Sequence, residues 1–253
     1  MQRVVSTADM NKSNPPMVEQ PKLRIAIVDY QVGNLFSVRN ACVAAGLEVT
    51  ITAEKRAILE ADAVIVPGVG AFGDAMGTLE RLDLVRPLQD IAAAGTPLFG
   101  ICLGMQLFMS ESEEFGHHKG LALFEGPVVR FQRPRGPFGE LKVPQVGWNR
   151  LFAPPAARER VGAAWAGSPL AGVAEGEFMY FVHSYYAKPV DPAAVLTVTR
   201  YGDLEFCSSV RRGNVFACQF HPERSGAKGL KVYQNIASEV AALTAAAGKN
   251  YVR

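Results

Sequence analysis

Between residues 23 and 109, short apolar runs alternate with helix-like stretches, and no other feature narrows the fold as much. Residues 23–30, 63–66 and 97–101 are apolar runs, rich in β-branched residues in the first two, of the length and composition of buried strands. Residues 47–52 alternate like a further strand. Between these, Asn34 can cap a helix whose apolar positions include Leu35, Val38 and Cys42, and Gly46 can end it. Helix-like stretches also cover residues 74–84, a segment ending at Gly95, and residues 103–109. Strand and helix in alternation is the pattern of a parallel sheet covered on both faces.

The second half reads differently. Residues 121–131, 178–186, 195–200, 204–210 and 214–220 have strand character. Tyr201-Gly202-Asp203 and Arg212-Gly213-Asn214 fit hairpin turns between the last three. A closing helix places Leu230, Tyr233, Ile236 and Val240 on one face, and residues 154–176, rich in Ala, Pro and Gly, read as a surface connection. The expectation is one α/β domain over residues 22–246: a mostly parallel open sheet with an antiparallel annex, between a disordered tail (1–21) and a short C-terminal tail (247–253).

Charge and composition remove several classes of function. With 26 basic and 24 acidic side chains the net charge is +2, which gives no electrostatic case for nucleic acid or an anionic membrane. No apolar run approaches the ~18 residues of a membrane span. The first twenty residues lack the apolar stretch of a signal peptide. Cys42, Cys102, Cys207 and Cys218 show neither a CxxC pair nor zinc spacing, so no disulfide, metal or cofactor is expected, and a reducing cytoplasm is the natural home.

The sharpest chemical signal is Gly100-Ile101-Cys102-Leu103-Gly104, where a buried strand ends and a helix begins. It has the form of a nucleophile elbow with sulfur in place of oxygen: the tight turn needs small residues two positions to either side. The start of a helix favours the thiolate, and the Leu103 N–H would face an oxyanion. Cys42, Cys207 and Cys218 sit in apolar periodic stretches and read as buried hydrophobes. Of the histidines, His117 and His118 lie in a polar stretch and read as solvated, while His183 lies in a strand. His221 directly follows a buried strand and precedes Pro222 and Glu223, so a base and its orienting carboxylate can share one side of a strand end. Pro67-Gly68-Val69-Gly70-Ala71-Phe72-Gly73 contains G-x-G-x-x-G, but no acidic residue ends the following strand, which argues against a dinucleotide. The loop can instead bring an oxyanion donor, the amide of Val69 or Gly70, to Cys102.

Together the elbow, extended to Met105-Gln106, and His221-Pro222-Glu223 resemble the class I (triad) glutamine amidotransferases. Residues 30–35, 67–76, 146–149, 180–186 and 219–226 narrow the likeness to the glutaminase subunits of imidazole glycerol phosphate synthase. The resemblance implies a flavodoxin-like doubly wound fold and the triad Cys102, His221 and Glu223. It implies glutamine held by Gln106, Glu114, Ser184 and Tyr185 beside Gly70. It also implies a partner, a (β/α)8-barrel cyclase that receives ammonia, docked on a face holding Asn34, Gln145, Val146, Trp148 and Arg224. Two departures fall on that face: Pro144-Gln145-Val146 stands where the family has Pro-His-Met, and Arg224 where it has Lys. A paralogue serving sugar amidation, a free-standing γ-glutamyl hydrolase and a non-catalytic flavodoxin-like module are the rival readings. An α/β-hydrolase orders its triad nucleophile, acid, histidine, whereas here His221 precedes Glu223.

Overall fold

The computed structural model describes residues 23–155 and 165–246; both expected tails and part of the 154–176 connection lie outside them. The strands that build the centre are β1 (Arg24–Val28), β2 (Glu48–Thr52), β3 (Ala63–Val66) and β4 (Leu98–Ile101). The helices α1 (Leu35–Ala44), α2 (Lys55–Leu59), α3 (Phe72–Arg81), α4 (Val85–Ala93) and α5 (Leu103–Leu107) follow them in alternation. After α5 come β5 (Met109–Ser112), β6 (His118–Lys119), β7 (Phe124–Arg130), β8 (Arg135–Gly136), β9 (Gly139–Glu140) and β10 (Gln145–Arg150). The chain ends with β11 (Phe178–His183), β12 (Tyr185–Ala187), β13 (Val195–Tyr201), β14 (Leu204–Arg212), β15 (Val215–Cys218) and α6 (Gly226–Ala246).

The main sheet has the order β2-β1-β3-β4-β15-β14-β13. Its first five strands run parallel, and β14 and β13 extend it antiparallel. The parallel part has the order of a flavodoxin-like doubly wound sheet. Side chains sort by the two-residue period of a strand. Along β1, Ile25 and Ile27 enter a core shared with Val38 and Cys42 of α1 and Val232, Tyr233 and Ile236 of α6. Ala26 and Val28 enter the opposite core, with Leu79 of α3, Leu88 of α4 and Met105 of α5. Because both faces are covered, β3, β4 and β15 are buried at every residue, which is why their sequences run apolar without alternation. Each fully buried Ile or Val of this layer contributes about 1.5–3 kcal/mol relative to exposure.

Besides β13 and β14, the strands outside the parallel part form a second sheet of order β12-β7-β5-β6, in which β5 and β7 run parallel, a separate ribbon of β10 and β11, and the short pair β8 and β9. Both expected hairpin turns are present, joining β13 to β14 and β14 to β15, with Gly202 and Gly213 at positive φ. Three segments differ from the sequence expectation. Residues 145–150, for which the sequence analysis gives no strand, pair fully with β11, since a two-stranded ribbon needs only one buried face. The described part of the 154–176 connection packs Trp165, Leu170 and Val173 into the core beside α6, so its Ala/Pro/Gly composition conceals three anchors. The helix expected over 103–109 stops at Leu107, because Met109 begins to pair with Phe124.

Candidate active site

The candidate groups converge on the carboxyl edge of the parallel sheet. Cys102 follows β4 with φ 53° and ψ −104°, a conformation that costs an L-residue energy and persists because the surroundings fix it. Its N–H donates to the Cys218 carbonyl at 2.7 Å, tying the elbow to β15. The two glycines have separate reasons. A Cβ on Gly104 would lie 1.8 Å from the Val66 carbonyl oxygen, and one on Gly100 would meet Phe108 at 2.8 Å and the Gly104 backbone at 2.9 Å. The elbow therefore packs against β3 at backbone contact, closer than any side chain permits.

His221 leaves β15 three residues after its last paired position and is buried. Its N–H donates to the Tyr180 carbonyl at 2.8 Å. Ser225 closes the turn: its hydroxyl donates to the His221 carbonyl at 2.6 Å and accepts from the Tyr180 N–H at 3.0 Å. The imidazole Nδ1 lies 2.7 Å from Glu223 Oε1 in a pair with no exposed side-chain surface on Glu223. Nε2 has no formed hydrogen bond. Burial alone would lower the His221 pKa; the neighbouring Cys102, followed by Glu223, outweighs it and pushes it up to about 10. The ring is therefore held toward its charged form despite its burial.

Asn34 takes a role the sequence did not indicate. It precedes α1 in the left-handed region, φ 76°, and makes no capping hydrogen bond. Its Nδ2 donates instead to Glu223 Oε1 at 2.7 Å, beside His221 Nδ1 at 3.5 Å, so a residue expected on the docking face orients the triad carboxylate.

The glycine loop after β3 is held at its base, where the buried Tyr30 hydroxyl donates to the Pro67 carbonyl. Val69 and Gly70 are exposed, and Gly70 has φ 116°. The Leu103 N–H, an expected oxyanion donor, points to the Gly68 carbonyl at 3.4 Å. Of the expected glutamine-binding residues, Gln106 is buried, and its Nε2 donates to the Tyr185 carbonyl at 2.9 Å and Gln219 Oε1 at 3.1 Å. With both amide hydrogens committed, its side-chain oxygen is what it has to offer a substrate. Glu114 Oε2 accepts from the Phe72 N–H at 2.6 Å, in the first turn of α3 directly after the loop. Ser184 and Tyr185 are half-buried.

Val146 and Trp148 are exposed, 60% and 56%, on the outer face of β10. The Trp148 ring meets Tyr180 edge-on at 6.0 Å, and the Arg224 guanidinium lies over the same Tyr180 ring at 5.0 Å. Phe36, which the sequence reading left out, is a further exposed apolar group, 74% exposed in the first turn of α1. Gln145 does not belong to this surface: strand alternation turns it inward, 3% exposed, opposite His183. Burial lowers the His183 pKa to about 4, and the ring hydrogen-bonds through Nδ1 to the Tyr185 carbonyl at 2.9 Å. His117 is exposed and paired with Glu111, whereas His118 is half-buried against Phe72 and Gly73, not solvated. The other cysteines are buried free thiols, and burial raises the pKa of each, that of Cys42 to about 12. Among the described residues no cluster of three metal-ligating side chains occurs, and no helix is long and apolar enough to cross a membrane.

A cysteine on a strained elbow and a buried histidine–carboxylate pair thus stand together at the carboxyl edge of a doubly wound sheet. The chain belongs to the glutamine amidotransferase class-I family, which it matches over residues 26–239. It is 45% identical over 214 residues to the imidazole glycerol phosphate synthase subunit HisH of Rhodopirellula baltica, covering 85% of this chain and 97% of that one. Its identity to the HisH subunit of Aquifex aeolicus is 43% over 223 residues, 88% of this chain and all of the relative. Among solved structures it superposes on PurLQS from Thermotoga maritima with a TM-score of 0.64 at 19% identity, covering 86% of this chain and 98% of that one, a likeness of fold.

Proposed function

We infer that this chain is the glutamine amidotransferase subunit of an imidazole glycerol phosphate synthase, releasing ammonia from glutamine for histidine biosynthesis. The observation that carries the chemistry is the buried His221–Glu223 pair at 2.7 Å beside the strained Cys102. The HisH relatives, alike over more than four-fifths of the chain, support the pathway.

Cys102 attacks the side-chain amide carbon of glutamine, and the carbonyl oxygen takes up negative charge. His221 gives its proton to the departing nitrogen, so ammonia leaves and a γ-glutamyl thioester remains. His221 then takes a proton from water, which attacks the thioester and releases glutamate and the thiolate. Ammonia is useful only as the free base, which favours a sheltered path to a partner over release to water. The partner that fits is a (β/α)8-barrel cyclase, and the exposed Val146, Trp148, Phe36 and Arg224 supply a docking surface for it. Four free thiols fit a reducing, cytoplasmic setting.

The loop after β3 gives the partner a role in catalysis. While the Leu103 N–H is engaged by the Gly68 carbonyl, one oxyanion donor is unavailable. Rotation beyond the fixed Pro67 would free it and turn a loop amide inward, with Gly70 as the pivot. Alone, the chain is expected to be a poor glutaminase. A co-expressed barrel subunit with its ligand should raise kcat by ~10²–10³, the worth of one oxyanion donor. Equal turnover with and without that subunit would remove the gating and favour a free-standing hydrolase.

Trp148 tests the docking face. Aromatic anchors of this kind contribute about 2 kcal/mol or more, so Trp148→Ala should weaken assembly about 30-fold. Because the side chain is more exposed than buried, the isolated chain should melt at nearly the wild-type temperature. A destabilised chain that docks at full affinity would place Trp148 in the fold instead of the interface.

A further inference from the structure

One buried side chain outside the triad touches the reacting sulfur. Gln219 follows β15, is fully buried, and lies with Nε2 3.6 Å from Cys102 Sγ. Its main chain is fixed by an N–H donated to the Ser208 carbonyl of β14 at 2.9 Å. Which end of its amide faces the sulfur follows from its neighbours. The Tyr185 carbonyl only accepts, so the Gln106 atom 2.9 Å from it is the amide nitrogen. The same nitrogen lies 3.1 Å from Gln219, which must present its oxygen there. The Gln219 NH2 group is then left facing Sγ, and the ambiguity of amide orientation disappears.

We propose that Gln219 is a further catalytic residue of the glutamine reaction, its amide N–H donating to the Cys102 thiolate and holding the sulfur in its attacking position. The proposal rests on Cys102 being the nucleophile. A neutral donor suits the whole cycle. His221 changes protonation state when it releases its proton to ammonia, whereas the amide keeps its hydrogens throughout. When water cleaves the thioester and the sulfur regains its charge, the same donor already stands beside it. A hydrogen bond to the anionic form favours that form. The relay also runs from the sulfur through Gln106 to the Tyr185 carbonyl, so the aim of the nucleophile is set by residues expected to hold the substrate.

The test is the pH dependence of Cys102 alkylation by iodoacetamide in the full-length chain, with the modified residue identified by peptide mapping. Gln219→Met and Gln219→Leu are two apolar replacements of similar volume, read beside thermal melts so that a folded variant is the one compared. The expected result is a thiolate titration midpoint moved upward by about one unit, so that on the acid side of that midpoint alkylation slows about tenfold. Glutaminase kcat in the complex should fall about 10–100-fold, the worth of a hydrogen bond to a charged group. A folded variant with the wild-type alkylation profile would overturn the role of Gln219 alone. Unaltered protein labelled at a cysteine other than Cys102 would overturn the nucleophile assignment, and this proposal with it.

Discussion

Cys102→Ser is expected to abolish glutamine hydrolysis, by about 10³-fold or more, in a chain that still folds and assembles. Every surrounding group is arranged around sulfur. The backbone N–H of residue 102 is held by the Cys218 carbonyl, a contact that a serine retains, so the elbow should survive. What is lost is the anion. The His221 pKa is raised chiefly against burial by the charge at Cys102, and a serine hydroxyl is too weak an acid to supply that charge. Glutamine analogues that alkylate thiols should label Cys102 and spare Cys42, Cys207 and Cys218, whose thiols burial keeps protonated. Measuring turnover of the variant and mapping the label in the unaltered chain checks both parts. Label on a second cysteine, or turnover surviving in the serine variant, would sink the assignment.

His221→Asn removes the proton carrier proposed beside the sulfur and should lower kcat by ~10³–10⁴. Glu223→Gln should be far milder, about 10–100-fold. Glu223 Oε1 accepts from both His221 and Asn34, and a glutamine oxygen can do the same. The Oε2 position has no formed hydrogen bond. What changes is the charge, and with it the alkaline limit. His221 is raised from 6.5 to about 10, so the stability its charged form lends is complete below pH 6.5 and is lost as pH rises through about 10. Activity that needs a protonated His221 should fall over the same upper range. Because Glu223 contributes to the upward shift, Glu223→Gln should move that alkaline limb downward in both melting and kcat profiles. An alkaline limb left in place would show that Glu223 does not set the state of the ring. Both variants should spare synthesis from external ammonia, which bypasses the glutaminase.

The parallel half of the fold was legible because strands buried on both faces must be apolar throughout, as 63–66 and 97–101 are. The tight turn at Cys102 and the pairing of His221 with Glu223 were legible because an elbow glycine and a residue after a strand end leave local signatures. Three misjudged segments share one physical cause, distant partners. Strand β10 hides behind Pro144 and Gly147 and is defined only by its register with β11. Trp165, Leu170 and Val173 look like loop residues until α6 packs over them. Asn34 has the composition of a helix cap, and its side chain is drawn away by a carboxylate 189 positions along the chain. Gln145 was placed outward by likeness to a docking segment, whereas the two-residue period fixes it inward. The donor contact of Gln219 to sulfur has no local signature at all.

The segment from Cys218 to Ser225 supplies the backbone partner of the elbow, the donor to the sulfur, the imidazole, its carboxylate and the hydroxyl that closes the turn. Gln219 and Cys102 stand 117 residues apart, and they meet only when β15 enters the sheet beside β4. Such distant pairing carries a large loop-closure entropy and forms slowly. A ribosome-bound chain that has emerged only as far as β14 therefore carries its cysteine without a base, a carboxylate or a donor. Glutamine is safe from it, and ammonia cannot be released before a partner could receive it. Catalytic competence arrives only when β15 and the turn after it join β4, so activity reads out that late pairing.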